Sequence, residues 1–91
     1  MQLGQVGQTI TEKLSTALVP HALEVIDESH LHAGHSGARP EGETHFRVKI
    51  QAEAFAGKSL IQRHRMVNEV LAEELNGPVH ALAISASAPA S

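Results

Sequence analysis

The chain has 91 residues, 42% hydrophobic and 19% charged, with a formal net charge of -3 when its histidines are neutral. That suits one globular domain and excludes a multidomain enzyme or receptor, a disordered chain and indiscriminate attraction to nucleic acid or anionic membrane. With no cysteine, disulfides, thiol nucleophiles and protein thiolate metal sites are excluded together.

Thr9 and Glu12 have the spacing of a capping box, and Ile10, Leu14, Ala17 and Leu18 recur on one helical face, which predicts a first helix ending just before Pro20. Residues 22–29, ALEVIDES, interleave Leu23, Val25 and Ile26 with acids and predict a strand with one face partly wet. Residues 30–43, HLHAGHSGARPEGE, hold three glycines and a proline without apolar periodicity, so they predict a long loop at the tip of an enlarged hairpin. Phe46, Val48, Ile50 and Ala52 then alternate with His45, Arg47, Lys49, Gln51 and Glu53, predicting a half-buried second strand with a basic outer face.

Ser59 is the expected N-cap of a helix over about residues 60–75, with Leu60, His64, Val67, Leu71 and Leu75 inward and Gln62, Arg65, Glu69 and Glu73 outward. Asn76, Gly77 and Pro78 end it, VHALAIS predicts a third strand, and SASAPAS a frayed tail. A helix between the second and third strands allows them to run parallel by a right-handed crossover. The expectation is an α+β fold: a small mixed sheet with helices on one face, in a single domain over residues 1–91 with its core at about 8–86. No apolar run is long enough for a membrane span, and MQLGQVGQTI lacks the basic start and apolar centre of a signal peptide, so a cytoplasmic protein without membrane contact is expected.

Seven histidines are the unusual feature, and His30, His32 and His35 fall within one short stretch. Imidazole is a common transition-metal ligand, and two histidines can replace two cysteines on one iron of a 2Fe-2S cluster. A chain without thiolates needs sulfur from a partner to complete such a site. His64 lies on the inward helical stripe and is expected to be a hydrogen-bonded core residue. By parity His80 shares a face with Leu82 and Ile84 at the core's edge, and His45 and His21 are expected at the surface. No nucleophile elbow, carboxylate pair or phosphate-binding glycine loop is present, so an enzyme is not expected. Arg47, Lys49, Lys58, Arg63 and Arg65 are candidate phosphate contacts if their faces coincide, with a salt slope of magnitude about 4 to 5 on duplex DNA. The same charges equally suit solvation or an acidic partner.

The segments VIDESH at 25–30, ETHFRVKI at 43–50, FAGKSLIQRHRMV at 55–67 and VHALAI at 79–84 together resemble the BolA family. The resemblance implies a class II KH-like αββααβ fold with a three-stranded mixed sheet. It also implies partnership with a monothiol glutaredoxin, the two sharing a glutathione-dependent 2Fe-2S cluster in iron-sulfur trafficking or iron and redox sensing. Under it the metal ligands are His80, from VHAL, and His35, which follows Gly34 in the loop, with His30, His32 and His64 as rivals. No cluster is expected in the isolated chain, which would be a monomer or weak dimer. The family also suggests a second role, a DNA-binding transcriptional regulator of morphology and stress response that uses the basic residues on a helix-turn-helix-like face. The chain departs from the family pattern in the extra glycines and histidines of its loop and in Asn68, where an aromatic residue often follows.

Overall fold

Hydrophobic alternation starting at Phe46 produces the middle strand of a sheet, with the other two strands paired to its edges and its apolar side chains in the core. The structure, a computed structural model, describes residues 4–29 and 43–89. Helix α1 (Gln5–Leu18) precedes strands β1 (Ala22–Asp27) and β2 (His45–Gln51); a 3-10 turn (Glu53–Phe55), α2 (Leu60–Val70), α3 (Ala72–Asn76) and β3 (Ala81–Ser87) follow. The sheet order is β1-β2-β3. β1 runs antiparallel to β2, with Leu23 opposite Ile50 and Asp27 opposite Phe46. β3 runs parallel to β2, with His45 opposite Ala81 and Gln51 opposite Ser87. The expected αββααβ order and mixed sheet are both present.

Phe46, Val48 and Ile50 project from β2 into one core with Ile10 and Leu14 of α1, Val67 of α2 and Leu71. The helices therefore cover one face of the sheet. Arg47 and Lys49 alternate to the other face and are exposed. Each large apolar side chain so buried contributes about 1.5–3 kcal/mol.

Two boundaries differ from the sequence expectation, and one that the sequence left open is resolved. Helix α1 begins at Gln5, and the Thr9 hydroxyl donates to the Gln5 carbonyl at 2.9 Å inside it. Its cap comes from far along the chain: Glu43 Oε1 accepts from the Val6 and Gly7 amides at 2.9 and 3.2 Å. Gly4, the N-cap, leaves room for this, because a Cβ there would collide with the Glu43 carboxylate. The helix expected over about 60–75 is divided at Leu71, whose φ of -102° and ψ of 20° leave the helical region. Leu60, expected inward, is 63% exposed because the first turn of α2 overhangs the core. The third strand starts later than VHALAIS and continues through Ser87, whose carbonyl accepts from the Ala52 amide at 3.0 Å. Ala86, expected in the frayed tail, is buried against the core.

The expected N-cap at Ser59 is realised as a full capping box: its hydroxyl accepts from the Gln62 amide at 3.1 Å, and its own amide donates to Gln62 Oε1 at 2.8 Å. Lys13 joins α1 to α3 through Glu74, 2.9 Å away, and this hydrogen bond raises the lysine pKa above its ordinary value. Arg63 lies across the layer boundary, its Nε donating to the Phe55 carbonyl at 3.2 Å and its NH1 to the Ala86 carbonyl at 3.3 Å.

Two consequences are measurable. Glu43→Ala should destabilise the fold by about 1 kcal/mol, the usual worth of a helix cap, with faster amide hydrogen exchange centred on Val6 and Gly7. Arg63→Ala should lower the thermal midpoint, because two backbone carbonyls lose a charged donor, whereas Lys58→Ala and Arg65→Ala should leave it nearly unchanged.

Candidate functional site

At the end of the sheet where β2 and β3 begin, Thr44 organises the backbone and two imidazoles. It is 1% exposed, and its carbonyl accepts from the His80 and Ala81 amides at 2.7 and 3.1 Å. Its amide donates to Ser29 Oγ at 2.8 Å, and its hydroxyl lies 2.8 Å from His45 Nδ1. The His45 amide also donates to Ser29 Oγ, at 3.2 Å. The His45 and His80 rings consequently lie side by side, their centroids 5.3 Å apart and their planes inclined at 53°.

His45 corrects the expectation of a surface residue. It occupies the outward parity of β2, as Arg47 does, yet it is buried, with 7% of its surface exposed. Its ring is held between the Thr44 hydroxyl and His80, and alternation carries no information about either neighbour. The available sequence signal was the Thr-His pair at the start of a strand whose parallel partner is preceded by a histidine. His80 lies one residue before β3 and is exposed rather than partly buried. Its ring is thus the accessible member of the pair.

The candidate ligand His35 and its rivals His30 and His32 lie outside the described residues. The two ends of the segment that carries them are nevertheless joined by one carboxylate: Asp27 Oδ1 accepts from the Ser29 amide at 2.9 Å and Oδ2 from the Glu43 amide at 3.2 Å. Glu43 adopts a φ of 60°, in the left-handed region that non-glycine residues seldom occupy. Ser29 and Glu43, the described residues on either side of that segment, are thereby held together next to Thr44 and His45. His64, the remaining rival, is half-buried on α2, and its Nε2 is buried without a hydrogen-bond partner among the described residues, which corrects the expected hydrogen-bonded core histidine. His21 is exposed, as expected, 3.4 Å from Glu53. Among the described residues no three metal-ligating side chains converge.

The five basic residues do not form one surface. Arg47 and Lys49 are on the open face of the sheet, paired with Glu28, just past β1, at 2.9 Å and with Glu24 of β1 at 3.9 Å. Lys58 and Arg65 belong to the helical layer, where they line a shallow recess with Gln62, Met66 and Glu69. Arg63 is committed to backbone carbonyls. Phosphate contact by all five at once is incompatible with their placement on opposite faces. No described helix is long and apolar enough to cross a membrane.

Comparison with known proteins agrees with this architecture. A family model described as BolA-like protein matches residues 14–91. SufE-like protein 1, chloroplastic/mitochondrial, of Arabidopsis thaliana is 48% identical over 97% of this chain and 25% of its own length. BolA-like protein 1 of Mus musculus is 52% identical over 96% of this chain and 61% of its own length. The chain thus spans a quarter of the first relative and about three fifths of the second. Among solved structures, the BolA domain of SufE1 from Arabidopsis thaliana superposes with a TM-score of 0.88 at 48% identity, covering 97% of this chain and 96% of that one. The solution structure of mouse BolA1 gives 0.80 at 46% identity, covering 96% and 68%. With a family match over most of its length and relatives at about half identity, the chain belongs to the BolA family.

Proposed function

We propose that this protein is a partner of a monothiol glutaredoxin, contributing histidine ligands to a glutathione-dependent 2Fe-2S cluster shared between the two chains in iron-sulfur trafficking or iron and redox sensing. The observation that carries this reading is the pairing of exposed His80 with His45 at 5.3 Å, at the same sheet end to which the histidine-bearing segment returns. The donor chemistry fits half of such a site: neutral imidazole suits iron, and a chain without cysteine leaves the thiolate positions to the glutaredoxin and glutathione. A cluster bound there would supply one-electron chemistry or be cargo for another protein.

The chain's own part is positioning. Thr44 fixes the His45 ring through Nδ1 and anchors the His80 backbone, so the two rings are presented together before any partner arrives. His80 is assigned as a ligand, with His35 as its counterpart from the loop ahead of His30 and His32, and His45 as a third imidazole within reach of the same centre.

Mixing this protein with a monothiol glutaredoxin and glutathione under cluster-reconstitution conditions should give a complex with visible absorption, while the isolated protein stays colourless. Absence of both complex and cluster would overturn the proposal. His80→Ala should destabilise the cluster in the complex, and His35→Ala should alter its spectrum more than His30→Ala or His32→Ala does. Thr44→Val keeps the side-chain volume and removes the hydroxyl. It should cost about 1 kcal/mol of stability, shift the His45 imidazole resonances and weaken cluster retention. Unchanged His45 resonances would show that the hydroxyl does not orient the ring.

A further inference from the structure

The cations of the described residues divide into those already engaged and those that are not. Lys13 is held by Glu73 and Glu74, Arg47 by Glu28, Lys49 by Glu24, and Arg63 by two backbone carbonyls. Of these cations, only the side chains of Lys58 and Arg65 make no ion pair or hydrogen bond among the described residues, and both residues are exposed. They line the same open recess of about 310 Å3, with Gln62, Met66 and Glu69. Next to Arg65 on the same side of α2, one helical turn earlier, Ile61 is 69% exposed. Among the described residues Val19 and Leu60 are the other large hydrophobic side chains so exposed, and Leu60 lies on the opposite side of α2. The unengaged positive charge and an exposed isoleucine thus coincide on the outer side of the first turns of α2.

We propose that this part of α2 is a second docking surface, which takes an acidic, leucine-rich type of helical segment from a protein partner. A carboxylate between Lys58 and Arg65 would complete the charge, aliphatic side chains would cover Ile61 and fill the recess against adaptable Met66, and Glu69 at the far end sets the direction of the bound segment by repelling a second acid. The same features disfavour nucleic acid: a phosphate backbone gains nothing from Ile61, is repelled by Glu69, and finds no Phe, Tyr or Trp on α2 for stacking.

Topology separates this surface from the histidine pair. β2 leaves His45 and ends at Gln51, from which the chain passes through the 3-10 turn to Lys58 and α2, while β3 starts opposite His45. Lys58 and the first turn of α2 therefore lie toward the other end of the sheet, with the length of β2, about 20 Å, between them and His45. A segment bound there leaves His80 accessible, and the proposal needs nothing from the histidine site.

The test uses the isotope-labelled full chain without cluster or glutaredoxin. It is titrated with a short helical peptide carrying glutamates and leucines along one face, with the same peptide bearing lysines in place of the glutamates, and with duplex DNA. The expected result is saturable binding of the acidic peptide alone, with resonance shifts at Lys58, Ile61, Gln62, Arg65 and Met66 and none at His45 or His80. The Lys58→Gln, Arg65→Gln double variant should bind about tenfold more weakly, the worth of two exposed ion pairs, and Ile61→Ala should also weaken binding. Because these side chains are exposed, the variants should keep the wild-type amide spectrum elsewhere. Absence of saturable binding, binding that the variants leave intact, or tighter binding of DNA at the same residues would each overturn the proposal. Failure of cluster assembly with glutaredoxin would leave it standing.

Discussion

The hydrogen bonds of Thr44 are the interaction on which the end of this sheet depends. Amide, hydroxyl and carbonyl each have a partner, and those partners belong to the end of β1, the start of β2 and the start of β3. A residue buried to this degree cannot turn to water for replacements, so each bond is held against a desolvation cost of about 1–3 kcal/mol. Ser29 makes the arrangement cooperative by accepting from two successive amides, those of Thr44 and His45, through one hydroxyl. The side-chain geometry of the histidine pair follows from backbone geometry that the fold has already fixed.

Much of the fold was legible in the sequence because it rests on periodicity. Alternation from Phe46 to Ile50 located the central strand, and Val67 and Leu71 the buried stripe of the second helix, because a core face imposes its repeat on any sequence that must cover it. Contacts between residues distant in sequence were not legible. The cap of α1 comes from Glu43, a whole hairpin away, so the local Thr9 and Glu12 pattern could not locate the start of the helix. His45 was misjudged for a similar reason: parity reports the face of a strand, not what lies on that face. The family motifs directed attention to His80, while the presence of a second imidazole beside it emerged only from the register of β2 against β3.

The basic residues show how composition can mislead when faces are unknown. Their closeness in sequence suggested one patch, but a strand and the helix packed on its reverse side deliver neighbouring residues to opposite surfaces. What results is a molecule with distinct ends. One end carries imidazoles positioned by buried hydroxyls. The other carries loosely held side chains on an overhanging helical turn.

The contact between Arg63 and Ala86 has a bearing on solubility. The Ala81 amide and the Ser87 carbonyl both face β2, so alternation turns the backbone groups of Leu82, Ile84 and Ala86 toward the outer edge of the sheet. β3 contains neither charge nor proline, the usual deterrents to strand addition. The guanidinium bound to the Ala86 carbonyl places a charge on that edge from a neighbouring helix. An arginine conspicuous in the sequence for its positive charge thus sets that charge at the edge where an otherwise neutral strand would accept another strand.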